Sequence, residues 1–261
     1  LGLTSGGTDQ AKIEGEQLNN DLTLTLSGVR LSEGFTVSGL AGSNINTQES
    51  SELRARGSEV NIPGFYNINN FTTQIVQGRL PARRRLVGVY GQVTADYKDW
   101  AFLTMTGRND WSSTLPSSDN SYFYPSVSLG VVFTDALGLQ LPWLQYGKVR
   151  VSLSQVGSDA PAYSLSTRYR VAEGVGADNG QQQFNGPTAR FPFRGQNGYL
   201  QDNALGNPDL RPESTRELEG GLELRMLDNR VRLDLSVYDK SSFDQIFSVP
   251  ASGARGCKSL V

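Results

Sequence analysis

The residues that could carry chemistry in this chain are few, and their types narrow the possible reactions. The sequence has no histidine and a single cysteine, Cys257. A Ser-His-Asp or Cys-His catalytic unit and a histidine-ligated metal are therefore excluded. One cysteine cannot form an internal disulfide or a cysteine-rich metal site. We predict a protein that is not an enzyme and that has no catalytic residues, cofactor or metal site.

Two short patterns resemble catalytic or nucleotide-binding motifs. Glu217 and Glu219 are two residues apart, so on a strand their carboxylates share one face, as paired catalytic acids can. Residues 174–180 approximate a dinucleotide fingerprint, but they contain one residue too many and lack a surrounding strand–helix unit. We interpret the two carboxylates as charges facing a water-filled space and assign no nucleotide site.

The best candidates for ligand binding lie in residues 158–214 and at the end of one predicted strand. Aromatic rings beside arginine and amide side chains suit sugars or peptides, and residues 158–214 contain both. The same rings could instead pack this segment on itself or on a partner, and Trp111 could anchor its own loop. The predicted substrate-binding residues are Trp111, Tyr163, Arg168, Tyr169, Phe191 and Arg194.

Length and composition restrict the class of protein that positions these residues. The chain has 261 residues, 24 basic and 26 acidic, and a net charge of −2, which argues against a nucleic-acid partner. Hydrophobic residues make up 37% of the chain, below the roughly 45–50% of typical globular domains. No run approaches the about 18 apolar residues of a membrane helix, although alternating membrane strands escape such a scan.

Apolar and polar residues alternate with period two along much of the chain, which predicts strands. In residues 21–27, for example, every second residue is leucine. Most of the predicted strands have roughly 8–12 residues, the length of a tilted membrane strand. The eight predicted strands are 21–27, 35–45, 85–96, 100–108, 122–133, 148–155, 217–226 and 231–238.

Shorter and longer connections alternate between these strands, as in an outer-membrane barrel with short turns on one side and long loops on the other. The long connections are 46–82, 110–121 and 158–214. Tyr97 and Trp100 flank one short turn, as membrane-interface aromatics do. A two-layer sheet whose polar face meets bulk water remains an alternative. Charges that suit a water-filled barrel interior lie on the polar faces: Glu217, Glu219, Glu223, Arg225, Arg232 and Asp234.

Two segments resemble a known family. Residues 107–116 read Gly-Arg-Asn-Asp-Trp-Ser-Ser-Thr-Leu-Pro, and residues 206–215 read Gly-Asn-Pro-Asp-Leu-Arg-Pro-Glu-Ser-Thr. Both are similar to the barrel of SusC/RagA-type TonB-linked (TonB-dependent) outer-membrane transporters. Residues 62–67 and 244–246 extend the similarity, which covers most of the chain from about residue 22. Pro208 and Pro212 stiffen the second segment, which predicts a structural role at a strand entry.

The resemblance implies an all-β fold, an antiparallel transmembrane β-barrel of about 22 strands in the outer membrane of a Gram-negative bacterium. Residues 1–261 are then about eight strands of one barrel domain, without the plug and the TonB-contacting segment. The implied partners are a SusD-like surface lipoprotein lid, the TonB complex acting through the missing N-terminal region, outer-membrane lipid, and an oligosaccharide or peptide ligand.

Two other functions compete with import. One is a passive porin or adhesin barrel without a plug, and the other is a soluble β-rich carbohydrate-binding or hydrolytic domain. Residues 83–85 form a run of three arginines at a strand entry, which could meet anionic surface lipid or lie on a solvated rim. We favour the rim.

Overall fold

Strands dominate the computed structural model, which describes residues 6–171, 196, 199–201, 204–250 and 259–261. The described elements are, in chain order, β1 (Gly7–Ser32), β2 (Phe35–Val60), a 3₁₀-helix (Ile68–Asn70), β3 (Phe71–Tyr97), β4 (Ala101–Ser112), β5 (Ser121–Val132), α1 (Phe133–Ala136), β6 (Leu144–Ser158), β7 (Tyr169–Val171), β8 (Tyr199–Gln201), β9 (Ala204–Leu205), β10 (Glu213–Met226), β11 (Val231–Phe243), β12 (Val249–Pro250) and β13 (Ser259–Leu260).

Eight of these strands form one antiparallel sheet in the order β1-β2-β3-β4-β5-β6-β10-β11. Each of the eight predicted strands overlaps one strand of this sheet, so the all-β prediction and the strand count are confirmed. Two small sheets are formed outside the large one: β7-β8 lies in the connection between β6 and β10, and β12-β13-β9 joins that connection to the residues after β11. None of the described helices is long and apolar enough to cross a membrane.

The large sheet has one apolar face and one polar face, because side chains alternate along each strand. On the apolar face Leu24 is 76% exposed and Val237 is 77% exposed. The accessible surface of the chain is 18083 Å², whereas a compact monomer of this mass exposes about 11,000 Å². The excess arises because the two faces of the sheet are largely uncovered, as expected for an arc of a larger wall.

The tight turns that join β1 to β2, β3 to β4 and β10 to β11 lie at one end of the strands, which we call the lower edge of the sheet. Between β3 and β4, Lys98 and Asp99 both have positive φ angles, 52° and 59°, as tight hairpin turns require. The rings of Tyr97 and Trp100 meet edge to face at 5.4 Å beside this turn. Asp228 and Asn229 take positive φ angles in the β10–β11 turn, a conformation that Asp and Asn tolerate better than most residues.

The prediction of a long connection over residues 46–82 was wrong. β2 continues to Val60 and β3 begins at Phe71, so the connection is the short stretch that contains the 3₁₀-helix. A 27-residue β3 is about 90 Å long at about 3.3 Å per residue, far more than a membrane requires. We call residues 7–20, 46–60 and 71–83 the projecting ribbon. Its two faces are largely polar, so the apolar alternation that reveals a half-buried strand is missing there.

The buried apolar core of the described residues is small and lies at the opposite, upper edge, under the long connections. The rim cluster consists of Leu115, Tyr122, Ala160 and Leu210. Leu115 belongs to the segment 107–116 and is 4% exposed, and Leu210 belongs to the segment 206–215 and is 7% exposed. The two segments that resemble the transporter family therefore pack against each other, in agreement with the structural role expected for the proline-bearing segment.

Candidate functional site

Hydroxyl, amide and charged side chains cover the polar face of the large sheet and link neighbouring strands. Thr94 lies 3.2 Å from Thr104 across β3 and β4, and Thr106 lies 2.6 Å from Ser126 across β4 and β5, each distance joining two hydroxyl oxygens. Such cross-strand pairs hold the face in register without an apolar layer over it. This face is therefore built to contact water or a polar partner.

A chain of polar contacts crosses the centre of this face. The Thr23 hydroxyl lies 2.8 Å from the Tyr90 hydroxyl, and the Arg108 guanidinium lies 5.5 Å from the centre of the Tyr90 ring. Arg108 Nε donates to Asp110 Oδ1 at 2.8 Å, and the Tyr124 hydroxyl donates to the other oxygen of Asp110. Both oxygens of this buried carboxylate are thus satisfied, which fixes the two neighbouring side chains in place.

A glycine on β3 makes room for the centre of this network. Gly88 pairs with Asp110 in the sheet. A Cβ atom at residue 88 would collide with the Asp110 carboxylate and the Arg108 guanidinium. Any larger residue would therefore push the ion pair away from the sheet.

A depression of about 360 Å³ lies beside this network on the polar face. Residues with hydroxyl, amide and guanidinium groups are among those that line it, and such convergent groups suit a peptide or sugar surface. The polar residues that line it are Tyr90, Gln92, Thr106, Arg108, Tyr124, Ser126, Ser154 and Gln155.

A second charged network lies toward the lower edge on β6, β10 and β11. Arg150 Nη2 donates to Asp234 Oδ1 at 2.9 Å, and its Nε lies 3.9 Å from Glu219 Oε1. Glu223 Oε1 accepts from Arg225 Nη2 at 3.1 Å and forms an ion pair with Arg232 Nη2 at 3.0 Å. The predicted charges therefore share the polar face and each has an oppositely charged neighbour there, which favours a lining of the barrel wall.

The carboxylates first considered as a catalytic pair each face a different cation. Glu219 lies near Arg150, as above, and Glu217 Oε2 lies 4.0 Å from Lys240 Nζ. This geometry favours the interpretation of Glu217 and Glu219 as wall charges. In the part of the chain that the structure describes, no group of three or more acidic or cysteine residues is close enough to hold a metal ion.

A partly buried ion pair connects the polar face to the rim cluster. Asp159, just beyond the end of β6, accepts two hydrogen bonds of 2.8 Å from Arg84. It also accepts one from Ser112 and one of 3.0 Å from Thr114. Burial would raise the pKa of Asp159, but these hydrogen bonds and the Arg84 charge outweigh it and hold the pKa below its usual value. The carboxylate thus stays ionised and links β3, the end of β4 and the connection that follows β6.

The structure places the predicted substrate-binding residues in different surroundings. Trp111 pairs with Val87 on the apolar face and is 38% exposed. The Tyr163 hydroxyl donates to the Pro81 carbonyl at 2.8 Å, and the Arg168 guanidinium lies 5.1 Å from the centre of the Tyr163 ring. The remaining predicted residues are Tyr169, which is 66% exposed, and Phe191 and Arg194, which lie outside the described residues.

The sequence interpretation missed the polar network around Asp110. Arg108 and Asp110 occur two residues apart within the segment 107–116, so they share one strand face. That spacing, together with Tyr90 and Tyr124 on the polar faces of the neighbouring predicted strands, was the available signal.

Comparisons with known proteins identify the family of this chain. The family model described as "TonB dependent receptor-like, beta-barrel" matches residues 3–259. TonB-dependent receptor P26 of Formosa agariphila is 27% identical over 256 residues, which cover 95% of this chain and 24% of that protein. TonB-dependent receptor P3 of the same organism is 25% identical over 208 residues, covering 79% and 19% of the two chains.

The fold is also found in a solved structure described as the RagAB peptide transporter. The TM-score is 0.73 at 17% identity, and the alignment covers 97% of this chain and 26% of the other. This chain therefore spans about a quarter of the length of the relatives it matches. With its uncovered apolar face, polar opposite face and family match, the chain belongs to the TonB-dependent receptor β-barrel family and forms part of an outer-membrane barrel.

Proposed function

We propose that this chain is part of the barrel wall of a TonB-dependent importer that takes up oligosaccharides or peptides. The observation that supports this proposal is the two-faced large sheet. Its apolar face suits lipid, and its opposite face bears polar networks from β1 to β11. In this proposal the polar face borders the barrel interior, where the depression beside Arg108 contacts the plug domain or the passing ligand.

Energy coupling is proposed to reside in other parts of the full-length protein. The chain spans 24% of the relative P26, which leaves room for a plug and a TonB-contacting segment in the N-terminal region. The TonB complex of the inner membrane would act on that segment, and rearrangement of the plug would open the path along the polar face.

The proposed ligand enters at the upper edge, beneath a SusD-like lipoprotein lid. The fold is shared with the solved structure described as the RagAB peptide transporter, and this likeness supports a peptide as one of the two ligand classes. Tyr163, Arg168 and Tyr169 lie in the long connection at this edge and offer a cation beside aromatic rings. With Trp111, Phe191 and Arg194 they form the proposed set of ligand-binding residues.

Uptake by cells that produce the full-length protein tests this proposal. Labelled oligosaccharides and peptides are supplied to cells with and without the protein and with and without an intact TonB complex. We expect uptake of one class to require both proteins. Uptake that requires the barrel but persists without TonB would identify a passive porin and overturn the proposal.

A double variant tests the proposed ligand-binding residues. We expect Tyr169→Ala with Phe191→Ala to reduce uptake about tenfold, because loss of two aromatic contacts typically costs this much affinity. The control is Phe123→Ala, which removes an exposed ring from the apolar face of β5. Unchanged uptake in the double variant would remove both residues from the ligand-binding set.

A further inference from the structure

Two arginines on the apolar face stand beside aromatic residues near the upper edge of the sheet. Arg85 of β3 lies on the same face of the sheet as Trp111 of β4. Trp111 pairs with Val87, which is two residues from Arg85 along β3. Arg216 of β10 lies with its guanidinium 5.6 Å from the centre of the Phe243 ring. An arginine and an aromatic residue thus share the apolar face at two separate places, and at Arg216 the guanidinium contacts the ring.

The position of Arg85 along β3 sets its height in a membrane. Arg85 lies twelve residues above Tyr97 at the lower edge. At about 3.3 Å per residue and a tilt of about 40°, this distance corresponds to a height of about 30 Å. The apolar band of an outer-membrane barrel is about 25 Å tall, so Arg85 lies at the level of the lipid headgroups.

Arg216 reaches nearly the same height on the other side of the arc. It lies ten residues from Met226 at the lower edge, which corresponds to about 25 Å. Its Nε donates to Gln155 Oε1 at 3.2 Å, which holds the side chain along the sheet. Below both arginines the apolar face carries Val89 and Leu218, which are 44% and 52% exposed.

Within the described part of the chain, neither of these two guanidinium groups forms an ion pair with a carboxylate. The adjacent Arg83 differs, because its guanidinium binds both oxygens of Glu49 at 2.8 and 3.2 Å. Asp239 of β11 lies on the apolar face two residues from Ser241, which pairs with Arg216. Asp239 and Arg216 do not form an ion pair. Arg85 and Arg216 therefore keep their positive charge available at headgroup level.

The backbone around Arg85 is also held firmly. Its N–H donates to the Ser113 hydroxyl at 2.8 Å, and its carbonyl accepts from the Ser113 N–H at 2.9 Å. Arg85 pairs with Thr47 on the other side. A guanidinium on a fixed backbone loses less freedom when it binds an anion than one on a mobile loop.

We propose that Arg85 and Arg216 bind phosphate groups of phosphorylated lipid in the outer leaflet, while Trp111 and Phe243 seat the sheet at the membrane surface. Guanidinium groups form paired hydrogen bonds with phosphate oxygens, and aromatic rings favour the membrane interface. Within residues 83–85, the two arginines on the apolar face then differ: Arg83 is neutralised by Glu49, and Arg85 faces lipid. This lipid site depends on the outer-membrane placement and not on import.

Lipid binding by the full-length protein in detergent micelles tests the proposal. The probes are bisphosphorylated lipid A and the same lipid after enzymatic removal of its phosphates, measured by microscale thermophoresis. We expect the wild type to bind the phosphorylated lipid more tightly, and Arg85→Gln with Arg216→Gln to weaken that binding about fivefold, because each of the two separate sites loses one arginine. Millimolar inorganic phosphate should not compete, because free phosphate lacks the lipid chains.

Two further variants keep the result interpretable. Arg85→Lys with Arg216→Lys preserves the charges but loses the paired hydrogen bonds, so its binding should lie between that of the wild type and that of the glutamine variant. Arg232→Gln removes an arginine from the polar face near the lower edge and should leave lipid binding unchanged. Equal affinity for the two lipids, or wild-type binding in the glutamine variant, would overturn the proposal. Uptake assays on the same variants would keep that outcome separate from any failure of the importer proposal.

Discussion

The rim cluster and the projecting ribbon lie on the same side of the membrane band, yet they are stabilised in opposite ways. In the rim cluster, Leu115 and Leu210 are nearly buried, and the Asp159 side chain beside them is only 7% exposed. In the projecting ribbon, ion pairs such as Lys12–Glu14 lie in water, with side chains 72% and 64% exposed. One region is a small dry core, and the other is a solvated ladder of strands.

Two adjacent arginines show what separates the regions. Arg83 binds Glu49 on the apolar side of the sheet with its side chain 70% exposed. Arg84 points to the other face and binds the buried Asp159. The same chemical pair therefore contributes little in water and much at the rim, where breaking it leaves a charge without a partner. Burial rather than the number of ion pairs decides which contacts stabilise the protein.

The largest expected effect is the loss of the rim carboxylate. We expect Asp159→Ala to lower the free energy of unfolding by about 3 kcal/mol, because Arg84 is left in a partly buried site without its partner. Urea titration of the full-length protein in lipid vesicles measures this change. The matched control is Asp9→Ala in the projecting ribbon, where Asp9 pairs with Arg56 at 3.1 Å and its removal should cost less than about 1 kcal/mol. Equal costs would remove the proposed difference between the regions.

Truncation of one leucine in each region should give a smaller difference in the same direction. Leu210→Ala should cost about 2 kcal/mol, since it leaves a cavity in the rim cluster. Leu53→Ala in the projecting ribbon, where Leu53 is 51% exposed, should cost less than about 0.5 kcal/mol. Urea midpoints of the two variants provide the comparison, and a larger cost for Leu53→Ala would contradict it.

Acid should weaken the rim cluster through Asp159. Its folded-state pKa is lowered from an unfolded value of about 3.9. The stabilisation is therefore present above about pH 4 and is lost as the pH falls through the lower folded-state pKa. We expect the stability difference between the wild type and Asp159→Asn to shrink between pH 6 and pH 3. A difference that is constant over this range would show that ionisation of Asp159 does not stabilise the rim.

The smallest effect is expected for an exposed arginine of the projecting ribbon. Arg83→Gln removes the pair with Glu49, but both groups remain hydrated, so the urea midpoint should stay within error of the wild type. Raising the salt concentration should likewise leave the wild-type midpoint little changed through this pair. A marked loss of stability in Arg83→Gln would indicate that the ribbon is held by charge pairing after all.

The alternation of apolar and polar side chains made the part of the sheet that lies at the height of the membrane predictable from the sequence. All eight strands of the large sheet have an apolar face, and each was located from period two alone. The projecting ribbon was missed because residues such as Gln48 and Glu49 place polar groups on both faces, so no alternation marks a strand. The strands of the ribbon continue the hydrogen-bond ladders between β1 and β2 and between β2 and β3. Their formation therefore depends on pairing with neighbouring strands and is not marked in the sequence of the segment itself.

The contacts of the rim and of the polar face were harder to predict. The segments 107–116 and 206–215 were both recognised, but the sequence does not reveal that Leu115 packs with Leu210, because about a hundred residues separate the two segments. The pairing of Asp159 with Arg84 is equally non-local. The Arg108–Asp110 pair was accessible from strand alternation, whereas its contact with Tyr124 required the register of β4 and β5.

The long connection between β6 and β10 has a consequence for the order of folding. Every other neighbouring pair in the large sheet is joined by a shorter connection, whereas roughly fifty residues separate Ser158 from Glu213. The entropic free-energy cost of closing that loop is about 1.5 kcal/mol higher than that of closing the ten or so residues between β2 and β3. We therefore expect β1–β6 and the β10–β11 hairpin to form as two separate units, and their union at β6–β10 to be the slow, late step of assembly.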